Sequence, residues 1–209
     1  MGERRSRRWM WWGLLILVMG CTASVALTVR SFIPVTGTPQ STASACVAIT
    51  TGSFASPQDG FSAAFPCTPS RSTATASTPF GKIEVVTYEA AADGINYAVS
   101  FVDYSALMPG DELPPLLVNF ILDGARRGVL RSAGMGAPTT TDIKVGEYIG
   151  QAISAENDEK ILRGRITIVG ESTYQIVIVT PKARAADTLV NAFLDSFQVM
   201  PRQTATTGR

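Results

Sequence analysis

The 209-residue chain contains no histidine. That single absence removes the commonest general base, the commonest transition-metal ligand and the usual pH sensor. A Ser-His-Asp triad is excluded outright. A Ser-Lys arrangement would have four lysines to draw on, Lys82, Lys144, Lys160 and Lys182, and none stands in a recognisable motif. The serines at Ser172 and elsewhere lack the sequence of a nucleophile elbow. There is no glycine-rich phosphate loop and no zinc-ligand spacing. Acidic residues are missing between Glu3 and Asp59, and five of the 18 basic residues fall in the first thirty positions. Beyond residue 30 the balance is 13 basic against 16 acidic residues, or −3. No basic stripe invites nucleic acid.

What the N-terminus has instead is one long apolar run. "WMWWGLLILVMGCTASVALTV", Trp9 to Val29, is an uncharged stretch of 21 residues, about the length that spans a bilayer as a helix. The preceding "RRSRR" predicts a cytoplasmic N-terminus, with Trp9, Trp11 and Trp12 at the interface. The rest of the chain is then extracytoplasmic, on the outer side of the cell membrane. Three outcomes remain open for residues 1–30: an uncut single anchor, favoured because apolar residues continue past Cys21; a lipoprotein, since "VMGC" resembles a lipobox that would make Cys21 a lipid attachment site; and a cleaved secretory signal. Residues 31–58, rich in Ser, Thr, Ala and Pro, read as a linker. Residues 59–200 read as the folded domain, and residues 201–209 as a disordered tail.

Outside the cell, cysteines pair. Cys46 and Cys67 are the two beyond the apolar run, and a bridge between them would close a loop of about 20 residues, worth roughly 3 kcal/mol in the loop-entropy picture. The alternative is a buried Cys67 and an exposed free Cys46.

Within the domain, "DGFSAAFPC" alternates as a short strand. "GKIEVVTYEAA" from Gly81 and "INYAVSFVDY" from Ile95, joined by Ala92-Asp93-Gly94, predict an antiparallel hairpin. "DELPPLLVNFILDGARRGVLRSAG" predicts a helix with prolines in its first turn. Its expected apolar face is Leu116, Leu117, Phe120 and Ile121, with Gly124 and Gly128 allowing close approach to the sheet. "TDIKVGEYIGQAISAE" and "KILRGRITIVGESTYQIVIVT" predict further strands with tight turns. Because Tyr174 to Val179 is nearly continuous in apolar residues, it reads as buried on both faces. A closing helix from about Ala183, with Ala186, Leu189, Val190, Phe193 and Phe197 on one side, supplies one cover and the first helix the other. The expectation is an α+β fold: an α/β/α sandwich around a central, mainly antiparallel sheet.

"GFSAAFPCTPS", "GKIEVVTYEA", "YAVSFVDY", "ILDGARRGVL", "RGRITIVGESTYQIVIV" and "AFLDSFQV", in that order, resemble small exported bacterial domains of the PsbP-like superfamily, over about Gly60 to Val199. The resemblance implies the same α/β/α sandwich. It implies no single activity, since members of that superfamily assist photosystem assembly, bind partner proteins or are uncharacterised lipoproteins.

Two clusters invite a site reading. Arg126, Arg127 and Arg131 on the first helix, with Arg163 and Arg165 two apart on a strand, would form an anion patch if their faces meet; otherwise Asp123 pairs with Arg127 along the helix. Glu156, Asp158 and Glu159 lack calcium-loop spacing and read as a solvated turn. The sequence therefore points to a membrane-tethered, extracytoplasmic, non-enzymatic domain that needs no cofactor or metal and binds or helps assemble an envelope protein. The alternative is a carrier or sensor holding a small ligand between sheet and helix.

Overall fold

Alternation of apolar and polar residues does build a sheet here, and turn glycines punctuate it. The computed structural model describes residues 53–78, 81–107 and 113–203. All of them belong to one unit, Ile33–Arg209. Among the described residues, ten strands form two sheets. β1 (Phe54–Ser56), β2 (Phe61–Ala63) and β10 (Gln198–Val199) make a small one in the order β1-β2-β10. The large sheet contains β3 (Ser70–Thr78), β4 (Gly81–Ala92), β5 (Ile95–Asp103), β6 (Thr139–Val145), β7 (Tyr148–Glu156), β8 (Lys160–Val169) and β9 (Ser172–Pro181). Its order is β3-β4-β5-β9-β8-β7-β6, antiparallel throughout. The β4–β5 turn contains Asp93 and Gly94, both at positive φ (53° and 77°), the left-handed geometry that Asp-Gly tolerates in tight hairpins.

Helix α1 (Pro115–Ala133) starts after Pro114 and ends at Gly134, whose φ of 66° lets its N–H reach the Arg131 carbonyl. Proline at the start and a left-handed glycine at the end match the asymmetry of helix termini. It buries Leu117, Ile121, Leu122, Ala125, Val129 and Leu130 against Ile153, Ala155, Leu162, Ile166 and Ile168 of β7 and β8. The expected apolar face is rotated: Leu116 is 86% exposed and Phe120 37%. A side chain placed at Gly124 would meet nothing within 4 Å, so this glycine does not serve close packing.

The α/β/α expectation is overturned. Strands account for 52% of the described residues and helices for 21%, a β-rich fold. The opposite face of the large sheet is covered chiefly by the small sheet, together with the short helix α2 (Asp187–Asp195). Length explains why. Nine helical residues reach about 13 Å, whereas seven strands span about 30 Å. Aromatic side chains of the small sheet fill the difference: Phe61, fully buried, stacks on Phe197 at 6.0 Å between ring centroids and meets Tyr88 edge-on at 5.1 Å. Nor is β9 buried evenly. Tyr174, Ile176 and Ile178 on this face are buried, while Gln175, Val177 and Val179 beneath α1 are half-buried.

The domain also reaches further at both ends than its sequence suggests. β1 lies within the stretch read as linker and pairs with β2. In the stretch read as tail, the Gln203 amide donates to the Pro57 carbonyl at 3.0 Å.

Candidate functional site

Cross-strand register places each arginine of the expected anion patch. Ile153 pairs with Gly164, and Ala155 with Leu162, so the even positions of β8 face α1. Arg163 and Arg165 share a face, as their spacing requires, but it is the face turned away from α1. Arg165 donates to the Leu194 carbonyl at 3.0 Å and pairs with Asp195 at the end of α2, where a cation complements the helix carbonyls. Arg163 donates to the Leu162 carbonyl at 3.2 Å. Arg126 and Arg127 both pair with Asp123, the latter at 2.6 Å, and Arg131 is exposed in the last turn of α1. The five arginines therefore form no common patch. Glu156, Asp158 and Glu159 surround a hairpin turn in which Asn157 Oδ1 accepts from the Glu159 and Lys160 amides at 3.0 and 2.8 Å. Among the described residues no group of three His, Cys, Asp or Glu could hold a metal ion.

Cys67 is 4% exposed and packs in the core beneath the small sheet; it is not a lone thiol. Cys46 and Cys21, like the apolar run and most of the linker, lie outside the described residues.

A buried polar cluster escaped the sequence. Asp59, 7% exposed, accepts from the Tyr88 hydroxyl and, at 3.3 Å, from Ser56 Oγ. The Tyr88 oxygen also meets Ser56 Oγ at 2.9 Å, Gln58 Nε2 at 3.2 Å and Arg71 Nε at 3.2 Å. This ties the loop after β1 to β3 and β4. Nearby, Tyr174 donates to the Asp59 carbonyl at 2.9 Å, and Arg202 bonds Asp103 and Ser172 while lying 5.0 Å over the Phe101 ring. Burial pushes the Asp103 carboxyl up, but the Ser105 amide and hydroxyl and the Arg202 guanidinium outweigh it and hold it below its ordinary value. Each of these polar groups has protein partners, which is the signature of a structural clasp.

Two tyrosines report on the same packing. Burial pushes the Tyr104 phenol up to about 12, the Thr173 hydroxyl offsetting only part. Burial also raises Tyr174 to about 12, with Arg202 opposing and Asp59 supporting the rise. A raised folded-state value stabilises the fold fully below the ordinary tyrosine range near 10 and is lost as pH climbs through about 12. Tyrosinate absorbance should thus show two groups that resist ionisation until the fold opens, and unfolding should be steep between about pH 10 and 12. If all tyrosines titrate together near 10 with the fold intact, the burial of Tyr104 and Tyr174 is wrong.

The remaining features are open to solvent. A depression of about 400 Å³ lies between the β6–β7 turn, with Glu147 and Tyr148, and the end of the small sheet at Phe197 and Gln198. On the opposite edge of the large sheet, β3 pairs with β4 alone among the described strands, in nine consecutive pairs without a bulge. Seven of its nine residues are exposed, it contains no proline, and Arg71 is its one charge. Natural edges are usually blunted by lysine, proline or a bulge. The other edge, β6, carries Asp142 and Lys144.

Comparison with known proteins adds no identity. No family model matches the chain, and no curated protein does. Among solved structures it is similar to a crystal structure from Bacteroides thetaiotaomicron VPI-5482, with a TM-score of 0.39 and 12% identity over 76% of this chain and 50% of that one. The chain thus spans half the length of that protein. So loose a likeness carries no argument.

Proposed function

We propose that this chain is a membrane-tethered, extracytoplasmic binding domain whose edge strand β3 accepts an extended segment of an envelope protein. The observation that carries the reading is the length of β3 that no described strand covers on its outer side: a row of backbone donors and acceptors, flanked by small side chains, is what strand addition requires. Asp59 and the Arg202–Asp103 pair already have partners within the domain, so they compete poorly as ligand sites. A Cys46–Cys67 bridge belongs to the same proposal, because it presumes the oxidising compartment.

The test is photo-crosslinking of the full chain in its native membranes, with a benzophenone side chain at Thr75 on β3 or, as control, at exposed Asn191 on α2. Adducts from Thr75 but not Asn191, identified by mass spectrometry as envelope proteins, are expected. Absence of any adduct from Thr75 would overturn the binding edge.

A second reading, a small-ligand carrier, is favoured by the depression beside Phe197. Its volume suits a small molecule, and Glu147 on its rim disfavours an anion. Native mass spectrometry that finds a retained small molecule, lost on Phe197→Ala, would move the function there.

A further inference from the structure

We infer that the segment β3 accepts is β3 of a second copy of this chain, so that two large sheets join edge to edge into one continuous sheet. The inference rests on the reading of β3 as a binding edge and names its partner. Charge complementarity argues for the second copy. An antiparallel pair related by a two-fold axis perpendicular to the sheet keeps each face on its own side and sets every residue opposite one of the same parity. Only certain registers are open, and the charges choose among them.

With the axis at Thr73, Arg71 stands opposite Thr75 of the second copy, Ser72 opposite Ala74 and Ser70 opposite Ala76. Thr75 is the strand partner of Glu84 in β4, on the same face. Arg71 then has Glu84 of the second copy directly beyond one intervening strand, about 10 Å between backbones, within reach of the two side chains together. Within its own chain the same two residues are four positions out of register, about 14 Å apart between backbones, and Glu84 already acts on Arg71 electrostatically there; the second copy brings its carboxylate closer. The two-fold axis makes this pair twice. Arg71 is 42% exposed at its side chain, and Glu84 is exposed. Thr73 meets Thr73 at the axis, a favourable cross-strand pair. Moving the axis one residue to Ala74 sets Arg71 opposite Ser77, whose β4 partner is Lys82, so like charges line up instead. No like charges face each other in the Thr73 register.

The experiment uses the full chain in membranes and in detergent, with the unsubstituted chain as background. Thr73→Cys brings two thiols together across the axis at a separation that a disulfide spans, whereas Ser77→Cys leaves them about 27 Å apart. Mild oxidation should yield a covalent dimer from Thr73→Cys and none from Ser77→Cys. Because Glu84 is exposed, Glu84→Lys leaves the fold intact; it should weaken dimerisation about tenfold by sedimentation, an effect that fades in high salt. Dimers that form through Ala74→Cys instead overturn the charge-set register. If the chain sediments as a monomer while Thr75 still photo-crosslinks to a different envelope protein, the second copy is wrong and the binding edge stands. If it is monomeric and no adduct forms, both fail.

Discussion

Phe61→Ala should destabilise the domain by about 3–5 kcal/mol, measured by urea unfolding followed by circular dichroism. Phe61 is fully buried, and its ring contacts Phe54, Tyr88, Tyr174 and Phe197. It belongs to the three-residue strand β2, which by length alone would count for little. The size of the loss therefore measures whether the small sheet is a true second layer over β4, β5 and β9. Removing the ring strips partners from four aromatic neighbours at once, and a backbone held on both sides by β1 and β10 cannot easily collapse into the void. Phe61→Leu keeps most of the volume and should cost less than about 1.5 kcal/mol. A loss near 1 kcal/mol for the alanine variant would mean that the small sheet is peripheral. A transition that splits into two steps would mean that it folds as a separate unit.

The same residues show where the sequence is readable. β4, β5, β8 and β9 declare themselves through period-two alternation and turn residues such as Asp93-Gly94, because one face of each lies against the core. β3 carries no such signal. "SRSTATAST" buries Ala76 alone, so its pairing with β4 rests on backbone hydrogen bonds that leave no hydrophobic period behind. β1 and β10 are too short for any period, and their contribution is through single aromatic residues whose partners lie far along the chain. The rotated face of α1 has a local cause. Pro114 and Pro115 delay the helix start, and Leu116 in its first turn falls outside the buried stripe. The Asp59 cluster was invisible for another reason: Ser56, Gln58, Asp59, Arg71 and Tyr88 come from one loop and three strands. The lone hint is that Asp59 ends an acid-free stretch of more than fifty residues just before a run of core positions. The arginine patch failed on parity, which strand spacing predicts within one strand but not between a strand and a helix.

The second large effect is at that cluster, and it decides whether the cluster is a clasp or a site. Asp59→Ala should cost about 2–4 kcal/mol, because the Tyr88 hydroxyl, 2% exposed as a residue, loses its carboxylate acceptor where water cannot readily replace it. Most of that cost should lie between Asp59 and Tyr88, not between Asp59 and Arg71. The ion pair is 3.7 Å long and its guanidinium is 42% exposed, so solvent screening leaves it about 0.5 kcal/mol. A double-mutant cycle with Tyr88→Phe should return a coupling of about 1–2 kcal/mol, and one with Arg71→Ala about 0.5 kcal/mol. Asp59→Asn should fall between wild type and alanine, since its amide oxygen still accepts from Tyr88 while the charge is gone. Coupling of the reverse order would show that Asp59 acts chiefly as a charge beside Arg71. The carboxylate would then be held ready at the edge where β3 meets its partner, and the cluster would belong to the binding surface and not to the core.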